Sequence, residues 1–165
     1  MITDFDKAIA MLTDGGVEFI VVGGVAATLH GSPRTTVDLD VLYRRTRENM
    51  HRLVDCLGPH RPYLRGAPPG LPFRWDLGTV RNGLNLTLDT DLGDLDLLGE
   101  VAGGGTYDEL LPHSHEVSAF GRRFRIVKLG KLIELKRAAG RSKDLEVLAE
   151  LQLILERQRR GGRSD

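Results

Sequence analysis

Residues 21–43 read VVGGVAATLHGSPRTTVDLDVLY, and how that stretch is read decides the fold. An apolar run stops at Gly23 and Gly24, a basic turn follows, and Asp38 and Asp40 then interrupt what is otherwise a buried strand. Side chains two apart on a strand share a face, so both carboxylates project together while Leu39 and Val41 enter the opposite layer. Burying unpaired charge is costly, so the two acids require compensation. Magnesium takes oxygen ligands and is commonly held by one or two carboxylates together with substrate phosphates, which accounts for the pair. The glycines lie between a strand and a helix, where bare backbone N–H groups and the positive end of a helix suit a phosphate.

Working outward, Phe5, Ala8, Ile9 and Leu12 recur at helical spacing, with Thr3 and Asp6 as a capping pair and Gly15 and Gly16 as the stop. Residues 17–22 read as a buried strand, 24–30 as a short helix ending at His30, and 37–43 as a second strand. Thr46 opens a helix to about Leu57 with Met50, Leu53, Val54 and Leu57 inward. The segment GPHRPYLRGAPPGLP has the Pro and Gly density of an exposed loop, long enough for a lid or a substrate-binding excursion. Leu84, Leu86 and Leu88 alternate with polar residues, a turn at Leu92 and Gly93 follows, and the run to Leu98 completes a hairpin. The glycines 103–105 read as a flexible link into a short helix at 106–111, and residues 117–127 as a further hairpin about Gly121. Helices at 129–139 and 143–159 close the chain. The order predicts one α/β (α+β) domain over residues 1–160, with a small, mostly antiparallel mixed sheet, helices on one face and a C-terminal helical pair; 161–165 is a flexible tail.

Lys and Arg number 23, as do Asp and Glu, so overall charge neither attracts nor repels a polyanion and its distribution must decide. Basic residues concentrate between Arg122 and Lys143, and acids between Asp89 and Glu100, a polarity suited to a site with a phosphate on one wall and a cation on the other. Cys56 is the only cysteine, which excludes an intrachain disulfide or a cysteine zinc site and fits a reducing, cytoplasmic setting. The N-terminus has acids where a signal peptide needs basic residues, and no apolar run is long enough for a bilayer; no membrane partner is expected.

Asp96 alternates with Leu95 and Leu97 and is the candidate third carboxylate of a two-metal site, with Asp94 on the same face as the other option. A helical rotation of about 100° per residue puts Lys136 in the apolar stripe of its helix, beside Leu129, Leu132 and Ile133. Asp144 likewise falls on the stripe of the last helix with Val147, Leu148, Leu151 and Leu155. The two either pair with each other or point into a shared cleft. Arg141 and Lys143, in the turn between these helices, either bind phosphate or are solvated.

Gly23-Gly24, the gap to Asp38-Leu39-Asp40-Val41, LDTDLGDLDLLGEV and KLIELKRAAGRSKDLEVL together resemble the nucleotidyltransferase superfamily that includes DNA polymerase beta. The wider pattern is similar to its small bacterial branch of AbiEii-like abortive-infection toxins and minimal nucleotidyltransferases, over residues 17–151. The resemblance implies transfer of a nucleoside monophosphate from a nucleoside triphosphate to an acceptor hydroxyl, with Mg2+ or Mn2+ as cofactor. It implies that Asp38 and Asp40 bind both metal ions, that Asp96 binds the catalytic one, and that Gly23 and Gly24 hold the triphosphate. By the same resemblance Arg34 and Thr36 contact phosphate, and Lys136 and Asp144 belong to the active site. RNA, with the acceptor end of transfer RNA foremost, is the implied acceptor, and a cognate antitoxin the implied protein partner; a protein hydroxyl or a small molecule is the next acceptor.

Other readings compete. Asp38-Leu39-Asp40 could belong to a sugar-nucleotide transferase, for which the chain is short, or to a nucleotide-binding or partner-binding module without turnover. His113 and His115 lack a third zinc ligand. His30 reads as a helix cap, and Tyr63, Phe73 and Trp75 as core packing rather than base-stacking groups.

Overall fold

The computed structural model describes residues 3–161, the side chain of Lys143 excepted. Helix α1 (Phe5–Asp14) buries Ala8, Ile9 and Leu12 and is capped by Asp4, whose carboxylate accepts the Lys7 N–H at 3.1 Å. The expected Thr3 and Asp6 pair does not cap it. The Thr3 hydroxyl is committed elsewhere: it donates to the Val37 carbonyl and accepts the Asp94 N–H at 3.0 Å, tying the start of the chain to the strands that carry the acids. Strand β1 (Phe19–Val22) is buried throughout and runs straight into α2 (Gly23–Leu29), followed by β2 (Asp38–Tyr43) and by α3 (Arg47–Leu57), which Thr46 caps. The glycine- and proline-rich segment is less free than its composition predicts. It forms a 3-10 turn at Gly58–His60 and a two-residue strand β3 (Tyr63–Leu64); beyond the segment comes helix α4 (Leu77–Asn82), which the sequence reading did not anticipate.

Strands β4 (Asn85–Thr90) and β5 (Gly93–Leu98) form the expected hairpin. Gly93 has φ +110° and backs so closely on Thr3 that a Cβ would meet its Cα at 2.4 Å, so no other residue fits that turn. The glycines 103–105 are a closed turn rather than a link, bridged by Val101 N–H donating to Gly105 O at 2.9 Å, and lead into α5 (Tyr107–Leu110). A second hairpin, β6 (Ser114–Ala119) and β7 (Arg122–Val127), precedes α6 (Leu129–Ala139) and α7 (Ser142–Arg160).

Among the described residues the seven strands form one sheet in the order β3-β4-β5-β2-β1-β7-β6. The pairs β2·β5 and β1·β7 are parallel and the others antiparallel. Two helix groups pack in series, α1·α3·α4 and α2·α6·α7. Register fixes the consequence for function: Asp38 pairs with Asp94 and Asp40 with Asp96, so one face of two neighbouring strands carries four carboxylates. The alternate residues Leu39, Val41, Leu95 and Leu97 are buried on the other face. Each such side chain contributes about 1.5–3 kcal/mol on burial, which holds the acid-bearing strands in place. No described helix is long and apolar enough to cross a membrane.

Candidate active site

A cleft of about 440 Å³ opens over the acidic face. Asp38, Asp40 and Asp96 form its floor, and Gly24, Arg34, Thr36, Lys136, Arg141 and Asp144 line it around them. Asp94 faces the same way as Asp96 but does not line the cleft, being drawn toward Arg65 instead. A smaller cavity of about 250 Å³, walled mainly by Val22, Leu98, Leu132, Leu135 and Ala139, meets the cleft at Asp40, Lys136 and Asp144.

The floor is electrostatically strained. Burial pushes the Asp40 carboxyl up to about 8, and the hydrogen bond and charge of Asp96 and the charge of Asp38 add to the effect, opposed by the Lys136 ammonium. Asp40 and Asp96 therefore lie within hydrogen-bonding reach of each other on the floor. A carboxylate that keeps its proton this long marks a place where a cation would be welcome. Hard oxygen donors in this number suit Mg2+ or Mn2+ held by one or two carboxylates plus phosphates, so the donor set fits such an ion. Among the described residues no three acidic, histidine or cysteine side chains are gathered as a ready-made metal site. Asp96 instead directs Oδ1 to the Arg65 guanidinium at 2.8 Å.

The opposite wall is built around a buried acid. Asp144 is only 1% exposed, and Lys136, 17% exposed, lies 3.3 Å from its Oδ1. Arg141 donates Nε to Oδ2 at 2.7 Å and Nη2 to Oδ1 at 3.4 Å. Burial acts to raise the Asp144 carboxyl, but the Arg141 hydrogen bonds and the Lys136 charge outweigh it and hold the group below the usual aspartate range. The two readings of the Lys136 and Asp144 pair thus both describe the structure: they pair, and they pair at the wall of the cleft. The sequence groups Lys143 with Arg141, but the Lys143 side chain lies outside the described residues, as do tail residues 162–165.

Both glycines are required by their neighbours. Gly23 has φ +70°, and a Cβ there would meet Asp40 Oδ2 at 2.0 Å; at Gly24 it would meet Thr36 Oγ1 at 2.4 Å. Their bareness lets β2 and its lead-in press against the start of α2. That start has no side-chain cap, since Val22 precedes it, so its N–H groups face the site without a protein side chain at the cap. Thr36 donates its hydroxyl to Asp38 O at 3.3 Å, and Arg34 is tied to Glu150 at 3.0 Å and Glu146 at 3.8 Å on α7. His30 is the C-cap residue of α2, with Nε2 donating to the Val127 carbonyl at 2.8 Å, and Trp75 donates Nε1 to Val54 O at 3.0 Å. Arg65 is the residue that sequence reasoning missed. The segment that carries it reads as a loop, with no local signal for the short strand that places it.

No family model matches the chain, and no curated protein matches it. Among solved structures it is similar to the crystal structure of a Thermotoga maritima protein provisionally assigned as a nucleotidyltransferase, at 15% identity over 91% of this chain and 94% of that one, with a TM-score of 0.53. A likeness at that identity speaks for architecture. The mixed seven-stranded sheet with its flanking helices is a nucleotidyltransferase fold.

Proposed function

We propose that this chain is a metal-dependent nucleotidyltransferase. It transfers a nucleoside monophosphate from a nucleoside triphosphate to an acceptor hydroxyl: the acceptor oxygen bonds the α-phosphorus, the bond to the bridging oxygen breaks, and pyrophosphate leaves as the hydroxyl proton is lost. One observation carries this reading: three carboxylates on adjacent parallel strands face Lys136 and Arg141 across a single cleft. Asp38, Asp40 and Asp96 would hold Mg2+ or Mn2+, which when bound neutralises the phosphates and activates the attacking oxygen. Lys136 and Arg141, steadied by Asp144, face the triphosphate, and the uncapped α2 start with Gly24 can donate N–H groups to it. Arg34 and Thr36 line the mouth of the cleft and would complete the phosphate contacts. Phosphoryl transfer depends mainly on positioning and charge neutralisation, the two things these residues supply.

The acceptor we propose first is RNA, with transfer RNA foremost, in a cytoplasmic toxin of the AbiEii-like branch that a cognate antitoxin restrains; this rests on the motif resemblance. The test is incubation with Mg2+ or Mn2+ and each labelled nucleoside triphosphate, in the presence of total RNA, cellular protein or small alcohols. Label moving to one acceptor, and lost in Asp40→Asn, supports the enzyme. Folded protein that neither binds nor transfers any nucleotide overturns it. A second reading, a nucleotide-binding module without turnover, is favoured by Arg65, which already supplies Asp96 with a cation; nucleotide binding with no transfer to any acceptor class would select it.

A further inference from the structure

Arg65 enters the acidic face from the sheet edge. Its backbone N–H donates to Thr87 O at 3.0 Å, which fixes the residue just beyond β3, and its side chain is 25% exposed. Nη2 donates to both the Leu88 carbonyl at 2.9 Å and Asp96 Oδ1 at 2.8 Å, while Nε lies 3.4 Å from Asp89 and 3.6 Å from Asp94. That Nε is buried and has no hydrogen-bond partner among the described residues. A guanidinium this desolvated is retained only where several acceptors hold it. The Leu88 carbonyl anchors it to the backbone of β4, and Asp89 and Asp94 together more than offset its charge. Asp96 thus meets a fixed donor and not a free competitor for its carboxylate.

We propose that Arg65 is the positioning residue of Asp96: it binds one carboxylate oxygen, holds the side chain in place among its acidic neighbours, and leaves the second oxygen for the cleft. This rests on the nucleotidyltransferase reading, in which Asp96 is a metal ligand. Hydrogen-bond partners behind a ligating carboxylate typically contribute about 10–100-fold to metal affinity or activity.

The experiment is Mn2+ binding to the full chain, followed by calorimetry and by the electron paramagnetic resonance of free Mn2+, for the parent, Arg65→Met, Arg65→Lys and Asp89→Asn. Arg65→Met is expected to bind Mn2+ at least about tenfold more weakly, and Arg65→Lys, which restores charge without the fork, about threefold to tenfold more weakly. Asp89→Asn, which leaves the Asp96 contact in place, should stay within about twofold. Where turnover is measured, Arg65→Met should lower kcat and leave the KM for nucleoside triphosphate within about threefold, a split that mere loss of folded protein does not produce. Mn2+ binding that is unchanged or tighter in Arg65→Met and Arg65→Lys overturns the proposal, as does an equal loss in Asp89→Asn. If Arg65→Met does not fold, the Arg65→Lys and Asp89→Asn pair decides alone. Absence of Mn2+ binding in the parent is a different result, which sinks the metal-dependent reading itself.

Discussion

The two walls of the cleft are built on inverted plans. On the helical wall a nearly inaccessible acid, Asp144, sits at the centre and holds Lys136 and Arg141 around it. On the strand wall a mostly buried cation, Arg65, sits at the centre and holds Asp89, Asp94 and Asp96 around it. In each case the inner charge is spent on structure, while Lys136 and Arg141 on one wall and Asp96 on the other line the cleft. One wall therefore offers cations and the other carboxylates, although the chain as a whole carries no net charge.

The largest expected effect breaks the strand wall directly. Asp40→Asn, or Asp38→Asn, should lower nucleotidyl transfer on the order of 10³-fold, since each removes a charge that the reaction needs and leaves the strand's buried face intact. Transfer at the parent rate by the double variant would remove the carboxylates from the chemistry. Gly23→Ala attacks the same wall through the backbone. Its φ of +70° and the 2.0 Å approach of a new Cβ to Asp40 Oδ2 should cost about 2–4 kcal/mol in urea unfolding. A neutral Gly23→Ala would mean that Asp40 can swing away freely, and then the carboxylate floor is not rigid.

On the helical wall, Asp144→Asn leaves two cations facing each other with no buried anion between them. Breaking a buried pair of this kind costs about 3 kcal/mol, and nucleotide affinity should fall with it because Lys136 and Arg141 lose their anchor. Lys136→Ala separates the two roles: weaker nucleoside triphosphate binding with a smaller loss of stability is expected, measured by nucleotide titration beside the same unfolding curves. If both variants destabilise alike and bind nucleotide alike, the wall is structural only.

The two walls also differed in how far the sequence disclosed them. Lys136 and Asp144 announced themselves by falling on the apolar stripes of their helices, because helical periodicity is a local property that a single sequence carries. Asp38, Asp40 and Asp96 were legible for the same reason in strand periodicity, and the sheet's mixed, mostly antiparallel character followed from the hairpins. Arg65 was not legible. It is placed by β3, a two-residue strand whose existence depends on pairing with Leu88 and Asp89 far along the chain. Proline and glycine density reported a loop there but not where the loop was going. The capping error at Thr3 has the same origin, a hydroxyl claimed by the distant Val37 carbonyl and Asp94 N–H in place of its own helix.

The smallest expected effect tests whether the inversion extends to protons. An ordinary aspartate titrates near 3.8, and Asp40 in the folded protein is pushed up to about 8, so the folded state holds its proton longer than the unfolded chain. Its contribution to stability is then fully present below about pH 4 and is lost as the pH rises through about 8. Asp144 is shifted the other way, so its contribution is present above the ordinary aspartate range and is lost only in acid, as the pH falls through its lowered value. Urea unfolding between about pH 5 and about pH 9 should therefore show Asp40→Asn gaining on the parent by about 1–2 kcal/mol as the pH rises, while the cost of Asp144→Asn stays flat. In acid below about pH 4 the order reverses: the Asp40→Asn difference is flat and the Asp144→Asn cost shrinks. A flat Asp40→Asn difference across the whole range would mean that the carboxylate floor is already compensated, and that Arg65 and Lys136 together relieve the repulsion that a divalent cation is proposed to relieve.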